Sequence, residues 1–297
     1  MKSLRIRILL TSFLLIFGTF ALLTGCGSKE TDMVTPPTLN FFTSFTEAAQ
    51  AAAADDKPFM VKFYTDWCTW CKVQDTTTLV DSAVISFLNG TFAFARVNAE
   101  VDTATAKMYS VGGYPTIVIF DSKGTEIDRI VGHMPPEEFM ETVNNYLNGI
   151  GTLEYYLAMA DSAGTGEVYF AVADKYNDRG KSDEARIYYE KVINADPENK
   201  DGFTDQSMIS LGNILRRNGD YDGAIKQFGE IIRRFKDNEV AADAEIWTAI
   251  AYRQKGDTAK AIQWFEGFVK NHPESSDTAY ALAQIEKLKN PPPPEEK

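Results

Sequence analysis

Cysteine and histidine are scarce in this 297-residue chain, with three of the first and two of the second. A zinc site takes about four ligands from one neighbourhood, and His133 and His272 lie in different halves of the chain. No metal site is expected, and no other cofactor. Haem attachment is excluded in the same way, because the residue after the one Cys-x-x-Cys is Lys72 rather than His. Positive charge is also short: 30 Lys and Arg stand against 42 Asp and Glu, a net charge of −12. An anionic body repels phosphate backbones, so nucleic acid is not an expected partner. Hydrophobic residues at 44% and charged residues at 24% are those of a folded chain long enough for two domains.

The N-terminus is organised for export. "MKSLRIR" is a short basic segment, and Ile8 to Leu23 is an apolar run broken only by Thr, Ser and one Gly, near the lower limit for a span and built like a secretory signal. "LTGC", Leu23 to Cys26, resembles the lipobox of bacterial lipoproteins. The resemblance implies cleavage before Cys26, lipidation of that residue, and a periplasm-facing protein whose only membrane contact is its lipid. Gly27 rather than Asp after the Cys implies the outer membrane. Removing residues 1–25 takes away Lys2, Arg5 and Arg7 and no acid, so the mature body is more negative still. Residues 26–40, polar and with a Pro-Pro pair, read as a tether. Cys68 and Cys71 are then the only other cysteines. A loop that short gains little chain entropy from a disulfide, so the pair reads as chemical rather than structural.

Residues 41–149 alternate helix and strand signals. Ser44 to Asp56 is alanine-rich, with Ser44 as N-cap and Glu47 three residues on. Pro58 to Thr65, Thr91 to Ala99 and Thr116 to Asp121 are β-branched or aromatic runs of strand length. Thr125 to Gly132 alternates at period two after the turn "DSKG", and Pro135 to Leu147 reads as a closing helix. Residues 150–164 read as a linker. From 165 to 289 a helical pattern recurs: Gly180, Gly219 and Gly256 at turns, then Ala185, Ala224 and Ala261, then Tyr189, Phe228 and Phe265 one helical turn further on. The alanines are 39 and 37 residues apart, somewhat longer than the ~34 of a tetratricopeptide repeat, which this pattern resembles. Pro197 and Pro273 close the second helices of repeats one and three, where repeat two has Lys236. Glu274 to Lys289 reads as a cap helix, and 290–297 as a disordered tail.

Lys57 to Leu147 resembles the thioredoxin superfamily, and within it the exported "WCxxCK" group that includes the C-terminal domain of the periplasmic disulfide reductase. The resemblance rests on a strand leading into Trp67-Cys68-x-x-Cys71-Lys72, on Tyr114-Pro115-Thr116, and on the final hairpin and helix. The expected architecture is an α/β thioredoxin-like domain followed by an all-α tetratricopeptide-repeat solenoid. The resemblance places a helix N-terminus at Cys68, where free N–H groups and the helix dipole favour a thiolate. It makes Cys68 the exposed nucleophile and Cys71 the buried resolving thiol. It makes Pro115 cis, with the backbone of Tyr114 presented to a substrate. Lys62 stands where many thioredoxins have a buried acid, so it would be neutral or would favour thiolates. Glu100 reads as a solvated residue rather than a substitute acid, and His133 as a surface loop residue. Trp70 replaces the Gly-Pro of cytosolic relatives, so the direction of redox chemistry does not transfer from them.

The resulting expectation is an envelope thiol:disulfide oxidoreductase, a reductase or interchange protein rather than an oxidant. Its partners would be client proteins with disulfides or thiols, an upstream thiol/disulfide redox partner, and an envelope protein or peptide in the repeat groove. The alternative is a non-enzymatic scaffold in which the repeats do the work and the thioredoxin fold is a structural mount.

Overall fold

A computed structural model describes residues 37–236 and 238–291. The leader, Cys26, most of the tether and the end of the tail lie outside the described residues. Among those described, no helix is long and apolar enough to cross a membrane.

The first half is a four-stranded sheet between helices. In chain order it runs α1 (Phe45–Asp55), β1 (Phe59–Tyr64), α2 (Thr69–Thr76), α3 (Ser82–Thr91), β2 (Ala93–Asn98), α4 (Thr103–Met108), β3 (Thr116–Phe120), β4 (Glu126–Val131) and α5 (Pro136–Leu147). Strand order is β2-β1-β3-β4, with β1 and β2 parallel and the other two pairings antiparallel. β1 is central and buried on both faces, which is why its sequence is a nearly continuous apolar run. Phe59, Val61 and Phe63 face a core shared with Ala48 and Ala52 of α1. Met60, on the other face, packs with Leu88 of α3 and Phe139 and Val143 of α5. Ser44 caps α1, its Oγ accepting from Glu47 N at 3.2 Å, and Asp81 caps α3 through Ala83 N and Val84 N.

The second half is helical. Three antiparallel pairs follow one another: α7 (Gly166–Asp178) with α8 (Ser182–Ala195), α9 (Thr204–Arg217) with α10 (Tyr221–Arg234), and α11 (Glu239–Lys255) with α12 (Thr258–Asn271); α13 (Thr278–Lys289) ends the array. Gly180, Gly219 and Gly256 turn each pair at φ of 68°, 83° and 88°, a region that L side chains avoid. Ala185, Ala224 and Ala261 and the aromatics Tyr189, Phe228 and Phe265 are all fully buried. Facing those aromatics are small residues seven positions before each turn glycine: Ala173, Gly212 and Ala249. A Cβ on Gly212 would run into the ring of Phe228.

The segment expected as a linker contains a helix, α6 (Leu153–Ala163), capped by Thr152, which accepts from Tyr155 N at 3.2 Å. The reason for its order lies in β4. Asp128 has no solvent exposure, and its carboxylate accepts from Leu153 N at 2.9 Å, from Lys175 Nζ at 2.9 Å and from Arg179 at 3.2 Å. Its neighbour Arg129 pairs with Glu126 and donates to the carbonyls of Tyr109 at 2.8 Å and Asp178 at 2.9 Å. The sheet and the first repeat are therefore joined by buried charges that all have partners. A buried ion network adds little against an apolar substitute, but breaking it strands the remaining charges.

Replacing Asp128 by Ala leaves Lys175 and Arg179 without their shared buried partner. The Asp128→Ala protein is expected to lose about 3–5 kcal/mol of stability, with the helical half melting ahead of the sheet. Urea unfolding followed by far-UV circular dichroism and tryptophan fluorescence checks both the loss and the separation of the two transitions.

Candidate active site

β1 delivers the chain to the sheet end, where Cys68 N donates to Thr65 O at 3.3 Å and Cys68 takes an extended conformation as the N-cap of α2. Its Sγ accepts from Cys71 N at 3.0 Å. Cys68 and Cys71 are joined as a disulfide, with Cα atoms 5.3 Å apart. The same amide and helix dipole that face Sγ in this oxidised state stabilise a thiolate once the bond is reduced. The expected exposure of Cys68 is corrected: it is only 5% exposed, and Cys71 is buried as well. With Sγ turned inward onto the first turn of α2, the exposed apolar surface beside the pair belongs instead to Trp67 at 66% and Trp70 at 61%.

Both tryptophans are held. Trp67 donates through Nε1 to Glu100 Oε1 at 3.0 Å and packs edge-on against Tyr114, so Glu100 positions an indole and is otherwise solvated. Tyr114–Pro115 is a cis peptide bond. Trp70 stacks on His133 with ring centroids 5.9 Å apart. His133 is therefore not a free loop side chain: it is half-buried, with Nε2 3.0 Å from Thr77 Oγ1. Its loop is held twice more, by Met134 N donating to Gln74 Oε1 of α2 at 3.0 Å and by Thr78 Oγ1, just past α2, donating to Met134 O at 2.5 Å. Trp70, Tyr114, Gly132 and His133 line a cavity of about 300 Å³.

Below the pair, Lys62 is completely buried. Its Nζ donates to Asp75 Oδ1 at 2.5 Å and to the carbonyl of Cys71 at 3.3 Å. Arg96, opposite Lys62 in the β1–β2 register, binds the other oxygen of Asp75 at 2.7 Å. Burial lowers the pKa of Lys62 from its ordinary 10.5, and the hydrogen bond and charge of Asp75 work against that fall. Asp75 is the member of this cluster that sequence reasoning missed. Its signal was its place four residues after Cys71, on the same face of α2 one turn on. The carboxylate of Asp75 is clamped between Lys62 and Arg96, and Lys62 touches the backbone of Cys71. Among the described residues, no three His, Cys, Asp or Glu side chains converge as a metal site.

Because the folded-state pKa of Lys62 is lowered, the folded protein holds fewer protons than the unfolded chain between that pKa and 10.5, and stability rises with pH across the window. Below the lowered pKa this contribution is lost. The Lys62→Met protein should show no such rise, while Asp75 keeps Arg96 as partner. Urea midpoints of both proteins at a series of pH values from 7 upward check the difference.

Residues 45–147 match the thioredoxin-like domain family, and residues 166–199 and 209–276 match tetratricopeptide repeat families. The thiol:disulfide interchange protein DsbD of Pectobacterium atrosepticum is 34% identical over 131 residues, which cover 39% of this chain and 23% of that protein. The protein of the same name from Ralstonia nicotianae is 34% identical over 105 residues, 34% of this chain and 17% of the relative. The chain thus spans under a quarter of the length of these curated relatives. The oxidised C-terminal domain of Neisseria meningitidis DsbD is 25% identical with a TM-score of 0.31, covering 36% of this chain and 99% of that structure. A DsbH oxidoreductase structure is 20% identical with a TM-score of 0.36, covering 42% and 95%.

Proposed function

We propose that this chain, a thioredoxin-like domain joined to tetratricopeptide repeats, works as a thiol:disulfide oxidoreductase of the bacterial cell envelope, acting as a reductase or in interchange. The observation that carries the reading is Cys68 Sγ at the N-cap of α2, bonded to Cys71 and facing the Cys71 amide at 3.0 Å. The match of residues 45–147 to the thioredoxin-like domain family and the similarity to thiol:disulfide interchange proteins DsbD support exchange chemistry, and the "WCxxCK" resemblance supports the reductive direction. The lipobox-like "LTGC" supports anchoring through Cys26 on the periplasmic side, and Gly27 after it supports the outer membrane.

In the reductive direction the Cys68 thiolate attacks one sulfur of a client disulfide. A Cys68–client bond forms, the client S–S bond breaks, and the departing client thiolate takes a proton. Cys71, deprotonated, attacks Cys68 Sγ; the Cys68–Cys71 bond forms and the second client sulfur leaves as a thiolate. The client gains two electrons and two protons, and the pair loses them. An upstream dithiol restores the pair by the same exchange in reverse and is itself oxidised. Cys68 is the nucleophile, Cys71 the resolving thiol, and Pro115 with Tyr114 presents backbone to the client. Trp67 and Lys62 support the pair. The repeats position client proteins, and an envelope protein or peptide occupies their groove.

Cys68→Ser is expected to bring reduction of insulin disulfides to the uncatalysed rate. Cys71→Ser should attack but not resolve, accumulating mixed disulfides visible on non-reducing gels. Turnover by the Cys68→Ser protein at the rate of the unmodified protein would contradict the reading.

A further inference from the structure

Beside the redox pair, the cavity walled by Trp70, Tyr114, Gly132 and His133 has a neighbour. A second cavity, of about 380 Å³, takes up at Gly113 and Val131, each one residue from the first, and reaches the repeats at Asn177, Gly180, Ser182 and Arg217. The two linings are consecutive in the chain at Gly113–Tyr114 and at Val131–Gly132.

The second cavity is open where it meets the sheet domain and fixed where it meets the repeats. A Cβ on Gly112 would meet nothing within 4 Å, and one on Gly113 only Val131 Cγ1 at 3.9 Å. A Cβ on Gly180, by contrast, would lie 2.9 Å from Ser110 Cβ. The turn of repeat one is thus pressed against the sheet domain, and the width of the cleft is set by packing.

Its charge is unusual for the surroundings. Lys175, Arg179 and Arg129 are all paired with acids. Arg217, the last residue of α9, has no carboxylate within ion-pair distance among the described residues; its hydrogen bond goes to Asn177 Oδ1 at 2.6 Å. Asp178 also lines the cleft, and its charge acts on Arg217 without closing an ion pair among the described residues; burial, and then the charge of Asp174, push its carboxyl up to about 6. An anionic chain thus keeps, in a cleft beside its redox pair, a guanidinium that has an amide hydrogen bond and no ion pair among the described residues.

We propose that an extended client segment runs from the Cys68–Cys71 pair past the Tyr114 turn into this cleft and sets an acidic side chain against Arg217, so that repeats one and two read the sequence beside the client's cysteine. The proposal rests on the oxidoreductase reading above. The client is recognised by an extended backbone, at ~3.3 Å per residue, and one carboxylate at a fixed offset from its cysteine.

The test is single-turnover oxidation of the pre-reduced full-length protein by a one-cysteine peptide held as a mixed disulfide with mercaptoethanol. A single Asp is scanned along both sides of the cysteine and compared with Asn at the same place. Hydroxyethyl disulfide, neutral and too short to reach Arg217, serves as the control. At one or two offsets Asp should accelerate oxidation about tenfold over Asn, the scale of a charge-assisted hydrogen bond. Arg217→Ala should abolish that preference and Arg217→Lys should retain part of it, with the hydroxyethyl disulfide rate unchanged in both. If Asp and Asn peptides react alike at every offset while hydroxyethyl disulfide oxidises the pair, this inference is overturned and the oxidoreductase reading stands. Equal slowing of peptide and control by Arg217→Ala also overturns it, since Arg217 then acts on the fold. If no disulfide oxidises the pair, both readings fall.

Discussion

The carboxylate of Asp128 sits where no water reaches, and a buried charge persists only if the protein supplies what water would have given it. Here the supply comes from outside the sheet: Lys175 from α7, Arg179 from its C-cap, and the amide of Leu153 from the start of α6. That requirement ties the sheet to the first repeat. β4 can bury Asp128 only with α7 in place, and Arg129 on the same strand reaches the carbonyl of Asp178 at the end of that helix. The repeats are thus mounted on the strand whose far end, at Gly132 and His133, forms one wall of the redox site.

A second buried charge works on the same logic at the other end of the site. Lys62 points from the central strand toward α2 and is answered by Asp75, which Arg96 holds from the other side. The arrangement places the Lys62 amine against the backbone of Cys71, with both oxygens of Asp75 already engaged. Positive charge close to the pair favours sulfur as thiolate, and Lys62 and Arg96 are the charges that flank Asp75 beneath it. Around the pair, Trp67 and Trp70 offer the exposed apolar area that a client can cover, each fixed by a partner: Glu100 for one and His133 for the other.

Local patterns made much of this legible. The Cys-x-x-Cys spacing, the period-two hairpin and the Gly, Ala and aromatic positions of the repeats are set within one or two turns of chain, and the structure has strands, turns and helix pairs at those places. What was not legible depends on residues far apart. The segment 150–164 lacks a strong pattern, and α6 is ordered through a bond from Leu153 to Asp128, 25 residues away. Alternation in "TEIDRIVG" gives no sign that a distant helix covers Asp128 and Arg129. His133 follows a strand and reads as loop, yet Thr77, 56 residues earlier, fixes its ring. The low exposure of Cys68 likewise follows from how its sulfur turns onto α2, which spacing alone does not reveal.

The central claim is that Cys68 and Cys71 form a dithiol that cycles in the reductive direction. The most direct measurement is the reduction potential of this couple in the full-length protein, equilibrated against glutathione redox buffers with thiol alkylation as readout. A reversible two-electron couple at about −180 mV or more negative, the range of reductants and interchange proteins, is expected. A couple near about −120 mV, the range of a strong oxidant, or a pair that does not exchange with glutathione at all, would contradict it.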